Sequence, residues 1–240
     1  MKNLMLFVHT HVDKYPTASA WHRTISTVDV KGAEQIPPAM PGTRLDEFDG
    51  IRFAASADAT HVGVCHYRRR PLFMQQELCH HPRIHMEPTP SNLAMLESST
   101  QRKAALEILQ SHDCIQYRPF VLSMGYRQQF ALYTPVEAWD ILLDVLSRLG
   151  LGESLGFYRH SNAHVWCSLL IAKREMVADF SAFALNVAAI LAQDPAYAAL
   201  LAKTPRLTAL VLERLVPLWV FHHRLKSAYV PMVILEKEAL

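Results

Sequence analysis

The stretch Asp58–Phe73, DATHVGVCHYRRRPLF, decides how this chain is read. A short apolar run, His61–His66 (HVGVCH), leads directly into Tyr67 and the arginines Arg68, Arg69 and Arg70. A continuous apolar run of that length suits a strand buried on both faces of an α/β sheet. Ligands of open α/β sheets bind outside the carboxyl ends of such strands. A strand ending in a histidine and several guanidiniums therefore suits a phosphate or pyrophosphate. Arginine matches phosphate oxygens in pairs and keeps its charge at any working pH. The alternative is a solvated basic turn, because basic clusters are common surface features.

Working outward, Leu4–His9 (LMLFVH), Cys114–Tyr117, Val165–Ala172 and Tyr229–Leu235 are further strand candidates. Helix signals follow. Thr134-Pro135-Val136-Glu137 has capping-box spacing with proline at the first helical position, and the apolar spacing behind it runs to Gly150. Asp194-Pro195 and Thr204-Pro205 repeat the cap-then-proline pattern. Residues 74–100, with prolines and clustered histidines, read as a loop or an excursion from the sheet. The expected architecture is a single α/β domain over residues 1–240, a Rossmann-like mixed sheet with a helical C-terminal portion.

The 240 residues carry 24 basic and 22 acidic side chains, a net charge of +2. That balance argues against a dedicated nucleic-acid binder, which shows a stronger and more localised basic excess. Cys65, Cys79, Cys114 and Cys167 form no CxxC pair and read as reduced thiols. Met1–Val8 lacks the longer apolar region of a signal peptide. The best membrane-span candidate, Phe180–Ala192, is short and carries Asn186. A cytosolic protein is expected, with peripheral association at a membrane surface left open.

HVGVCHYRRRPLF resembles the IGLVHYRRYF signature of a bacterial glycosyltransferase family encoded with capsular and exopolysaccharide genes, formerly a domain of unknown function. Leu6–Pro16 (LFVHTHVDKYP) is similar to its opening strand and ATHKPY turn, which puts Thr10 and His11 on that motif. Leu45–Phe53 lies where the family has CELTALYW, with Asp46 or Glu47 as the acidic match. Ser168–Phe180 looks like NMFIMKKEYFDEY, the family asparagine falling on or near Ser168. Arg206–Trp219 looks like its R…SERLFNVW helix, including Glu213 and Arg214. The resemblance implies a GT-A-like fold that transfers a sugar, as a hexosyltransferase would, from a nucleotide-sugar donor to a glycan or lipid-linked acceptor. Many GT-A strands end in a metal-holding Asp-x-Asp. His66-Tyr67-Arg68 stands there in this chain, so cationic side chains are expected to neutralise the leaving diphosphate. No protein metal site is assigned, and a manganese or magnesium ion remains compatible with the pattern.

These expectations name residues. Thr10, His11, His66, Tyr67, Arg68 and Arg69 would bind the nucleotide-sugar, and Tyr126, Arg127 and Asn162 the acceptor. Glu213, Arg214 and Asp46 are the catalytic candidates, Glu213 as base towards an acceptor hydroxyl. Leu207, Leu210, Val211, Leu215 and Leu218 make an apolar helical stripe from which Arg214 projects. A guanidinium facing the core needs a partner: a core carboxylate such as Asp46 or Glu47, or the substrate. Pro217 predicts a kink or an early end of that helix. His80-His81 with His85, His160 with His164, and His222-His223 raise a metal-hydrolase alternative, but no Asp-rich or HExxH partner accompanies them. A catalytically silent nucleotide-sugar-binding or assembly protein is the other alternative.

Overall fold

The computed structural model describes residues 3–12, 19–74, 82–165 and 169–236. The strands are β1 (Leu4–His9), β2 (His22–Ser26), β3 (Glu34–Gln35), β4 (His61–His66), β5 (Arg69–Pro71) and β6 (Arg83–Met86). They continue as β7 (Cys114–Tyr117), β8 (Phe120–Val121), β9 (Ala163–His164), β10 (Leu170–Lys173), β11 (Ser227–Val230) and β12 (Met232–Leu235). The α-helices are α1 (Glu47–Ala54), α2 (Pro90–Leu96), α3 (Ser99–Ile108), α4 (Tyr126–Ala131) and α5 (Val136–Leu146). After them come α6 (Gly156–His160), α7 (Arg174–Gln193), α8 (Pro195–Lys203), α9 (Leu207–Leu212) and α10 (Leu215–His222).

The main sheet has seven strands in the order β3-β2-β1-β4-β10-β7-β11. Its pairings are parallel except where β10 runs antiparallel to β4 and β7. From β1 the chain winds through β2 and β3 on one side, then returns to place β4 on the other. The strand order thus reverses between β1 and β4, the position where open α/β sheets form a ligand crevice. Parallel strands must be covered on both faces, which is why the interiors of β1 and β4 are apolar. One face packs Phe7 and Val64 with Ile51, Trp139 and Phe180 of the helices. The other packs Leu6, Val8 and Ile171 with Ala105.

Three strands occupy the bounds that the apolar runs predict: β1, β4 and β7. The run Tyr229–Leu235 differs, because it divides at Pro231 into β11 of the main sheet and β12 of a small sheet ordered β5-β12-β6. Proline has no N–H for a ladder, and the Pro231 carbonyl instead accepts from the Leu72 N–H. The segment expected as a loop holds β6, α2 and the start of α3. Thr134 does not cap α5; its Oγ1 donates to the Phe130 carbonyl at 2.6 Å, and Pro135 stands at the N-cap. Thr204-Pro205 likewise does not cap a helix, because α9 begins only at Leu207 after Arg206. Asp194 does cap, Oδ1 accepting from the N–H groups of Ala196 and Tyr197.

The stripe expected over Leu207–Leu218 is two helices, broken at Glu213–Arg214. Pro217 is the third residue of α10, where its missing N–H would be unsatisfied anyway. Its ring would collide with the carbonyl four residues earlier, that of Glu213, so the break falls there. Among the described residues one helix, α7, is long and apolar enough by length and composition to cross a membrane. Val177, Phe180, Ala184 and Val187 on this helix are buried in the core. Cys65 and Cys114 are buried free thiols; Cys79 and Cys167, like His80, His81 and Ser168, lie outside the described residues.

Gly63 sits in the middle of β4 between β1 and β10. A Cβ there would lie 2.5 Å from Ile171 Cγ1 and 3.1 Å from the Leu170 carbonyl oxygen. Gly63→Ala is expected to destabilise the fold by ~1–3 kcal/mol through overpacking. Urea unfolding should show a lower midpoint at an unchanged slope.

Candidate functional site

The parallel pairing of β1 with β4 puts His9 opposite His66, so both strands end at the same level. His9 is 2% exposed, and neither ring nitrogen has a hydrogen-bond partner among the described residues. Burial pushes its pKa down to about 4 against the raising influence of Asp46, with His11 and Arg44 assisting. His66 Nδ1 accepts from the Arg68 N–H at 3.2 Å. Burial, then the charges of Arg69 and Arg68, push His66 down to about 2. Both imidazoles are therefore neutral at physiological pH. Thr10 Oγ1 donates to the Val12 carbonyl and accepts from the Val12 N–H, which shapes the turn after β1. That turn lays the His11 ring 5.4 Å from Tyr67 and 5.9 Å from His66. The Arg68 guanidinium lies 5.6 Å from the Tyr67 ring centre.

Asp46 precedes α1 with φ +52°, a conformation that favours glycine, and its side chain is buried. Arg44 Nε donates to Oδ1 at 2.5 Å, and Arg206 Nε and Nη2 both reach Oδ2 at 2.8 Å. Burial alone would push the Asp46 carboxyl up. The hydrogen bonds and charges of Arg44 and Arg206 outweigh it and hold the group below the usual carboxylate range. The anticipated Asp46–Arg214 pair does not form. Arg206, one residue ahead of α9, takes Asp46 instead.

Arg214, at the break between α9 and α10, is 5% exposed; its Nε and Nη1 have no partner among the described residues. Its guanidinium carbon lies 6.0 Å from the Phe130 ring centre. A buried guanidinium without a carboxylate is costly unless a ligand supplies the anion. Glu47, the first residue of α1, is buried. Burial and then the charge of Glu213 push its pKa up to about 7, while Arg69 pulls the other way.

Of these residues Arg68, Arg69, Arg206, Arg214 and Glu213 line a cavity of about 380 Å³, together with Arg83 and Glu236, whereas Thr10, His11, His66, Tyr67 and Asp46 are not among its lining residues. Gln129 also lines it, with Oε1 buried and without a partner among the described residues. The guanidiniums outnumber the carboxylates, so the cavity is suited to an anion. His9, Arg44, Arg83 and Gln129 carry no sequence motif of their own, whereas Arg206 stands at the arginine that opens the R…SERLFNVW resemblance. Only the position of His9, last in the first strand as His66 is last in β4, could have drawn attention to it.

The expected acceptor residues lie elsewhere. Tyr126 is fully buried, stacked on His164 at 4.1 Å, and its hydroxyl donates to the Ala163 carbonyl at 2.9 Å. Arg127 is exposed and pairs with Asp140 at 2.9 Å. Asn162 is exposed beside β9, its carbonyl accepting from the Leu122 N–H. Among the described residues no group of three or more His, Cys, Asp or Glu is arranged to hold a metal ion. His164 Nε2 lies 3.1 Å from the Met124 carbonyl, and His222 Nδ1 2.8 Å from Ser154 Oγ.

No protein-family model matches the chain. No curated protein matches it either. Among solved structures, the apo structure of WbbM, a bifunctional glycosyltransferase, matches with a TM-score of 0.79 at 10% sequence identity. The fold is shared with a glycosyltransferase. The match covers 100% of this chain and 46% of WbbM, so the chain spans just under half of that protein's length. The α/β, GT-A-like class expected from the sequence is the class observed.

The Glu47 carboxyl gives this cluster a pH signature. Between its ordinary value of 4.5 and about 7, the folded state holds a proton that the unfolded chain has released. Stability therefore falls as pH rises through that window, by about 3 kcal/mol in all. Glu47→Gln is expected to flatten the dependence and to exceed the parent in stability at pH 8. Urea midpoints measured from pH 4.5 to 8 check this; parallel curves for the two proteins would contradict it.

Proposed function

We propose that the chain is a glycosyltransferase that moves a sugar from a nucleoside-diphosphate donor to a glycan or lipid-linked acceptor. The observation that carries this reading is the arginine-lined cavity to which Arg68 and Arg69, just past the carboxyl end of β4, contribute; β4 is the strand next to which the strand order reverses. Arg68 and Arg69 would take the diphosphate, and the neutral imidazoles of His9 and His66 would bound the donor site without adding charge. The acceptor oxygen would attack the anomeric carbon as the bond from that carbon to the phosphate oxygen breaks. The leaving diphosphate keeps the electron pair, and its developing charge is met by the guanidiniums. Glu213, on the cavity wall, would receive the acceptor proton. Asp46 would act by holding Arg44 and Arg206 in place.

A divalent cation fits these residues poorly. The positive charges of Arg69 and Arg68 bear on His66 and disfavour a further cation there, and the Asp46 carboxylate is filled by two arginines. No step is therefore assigned to a metal. The wider reading places the enzyme on the cytosolic side in capsular or exopolysaccharide synthesis, with peripheral contact to the membrane that carries a lipid-linked acceptor.

Calorimetric titration with UDP, GDP, CDP and TDP, in chelator, tests the donor site. One nucleotide family is expected to bind, and Arg68→Gln with Arg69→Gln to weaken it by about tenfold or more per arginine, as lost charge-assisted hydrogen bonds imply. Binding that requires manganese and survives both substitutions would contradict the proposal. Nucleotide-sugar affinity without any transfer would select a silent binding protein on the same fold.

A further inference from the structure

A second cavity, of about 410 Å³, opens on the face of β7 and β11 covered by α6 and α10. It shares no lining residue with the arginine cavity. Two locally unfavourable features converge on it. The first is Gln116 of β7, 1% exposed. Its Nε2 donates to Ser227 Oγ at 2.9 Å, and its Oε1 is buried with no partner among the described residues. An unsatisfied buried acceptor is costly and in native folds calls for an explanation.

The second is Arg224, just past the end of α10. The Leu225 N–H bonds the Val220 carbonyl and the Arg224 N–H bonds the Phe221 carbonyl, which is a Schellman closure with Arg224 at its left-handed position. Glycine normally stands there, yet this chain places an arginine at φ +52°. Arg224 is the one charged residue lining the cavity and makes no ion pair among the described residues. Phe157, Pro217, Phe221 and Tyr229 supply apolar walls, with Phe221 52% and Tyr229 43% exposed.

We propose that this cavity binds a small aromatic anion, a flat ring with an O–H or N–H donor at one end and a carboxylate or phosphate at the other. The ring lies against the aromatic and proline walls, its donor bonds Gln116 Oε1, and its anion pairs with Arg224. The cavity volume falls in the ordinary range for small-ligand sites, which are mostly apolar with a few placed polar groups. The site stands independently of the transferase reading, since it uses none of the residues at the ends of β1 and β4.

The test titrates 4-hydroxyphenylacetate into the full chain, with phenylacetate lacking the donor and tyramine lacking the anion as controls. Saturable one-to-one binding is expected for 4-hydroxyphenylacetate, and at least tenfold weaker binding for each control. Arg224→Gly and Gln116→Met should each weaken it at least tenfold, whereas Arg68→Gln with Arg69→Gln should leave it unchanged. Glycine relieves the backbone at position 224, so Arg224→Gly is also expected to raise Tm by ~2 °C, which keeps that variant folded and informative. No saturable binding to the parent would overturn the proposal. So would affinity unchanged in both cavity variants, or affinity lost in the Arg68 and Arg69 variant.

Discussion

The six-residue parallel pairing of β1 with β4, from Leu4 opposite His61 to His9 opposite His66, is the constraint on which the candidate site depends. The register fixes where both strands stop, and both stop in polar sequence. One residue of slip would reverse which face each side chain occupies. Gly63 allows the close approach of Ile171 from β10 on the other side, so β4 is held between two neighbours without freedom to shift. The chain then places its charge at the end of the best-anchored strand, where Arg68 and Arg69 follow directly from a rigid scaffold.

Electrostatics at that end follow a consistent logic. Buried imidazoles stay neutral because burial and the arginines disfavour their charged form. One buried carboxylate, Asp46, stays charged because two arginines bind it. Another, Glu47, is pushed towards the neutral form by burial and Glu213. What remains uncompensated is positive: two buried guanidinium nitrogens of Arg214, Nε and Nη1, have no acceptor among the described residues. Such a cluster costs the fold stability when empty and is rewarded only by an anionic ligand.

Much of the scaffold was legible because its signals are local. The strands β1, β4 and β7 are uninterrupted apolar runs, and the Asp194 cap needs only its own next residues. The misread parts depend on distant contacts. Pro231 divides a run that looks continuous, because the second half finds β5 and β6 in another sheet. Thr134 has the spacing of a cap, but the Phe130 carbonyl is a competing acceptor. At the site, the HYRR strand end was legible as an anion-binding element, whereas the partner of Asp46 was not. Choosing between Arg206 and Arg214 required knowing that Pro217 breaks the helix between them. Tyr126 and Arg127 are adjacent in sequence, yet one enters the core and the other the surface, which only the packing of α4 decides.

The central claim is that guanidiniums at the end of β4 hold the diphosphate of a nucleotide donor. The most direct measurement is a crystal structure of the chain with the nucleoside diphosphate that binds it, grown with manganese present. The account predicts phosphate oxygens within hydrogen-bonding distance of the Arg68 and Arg69 guanidiniums, inside the cavity that Arg214 and Glu213 also line. A diphosphate bound elsewhere, or held through manganese with those arginines turned to solvent, would contradict it.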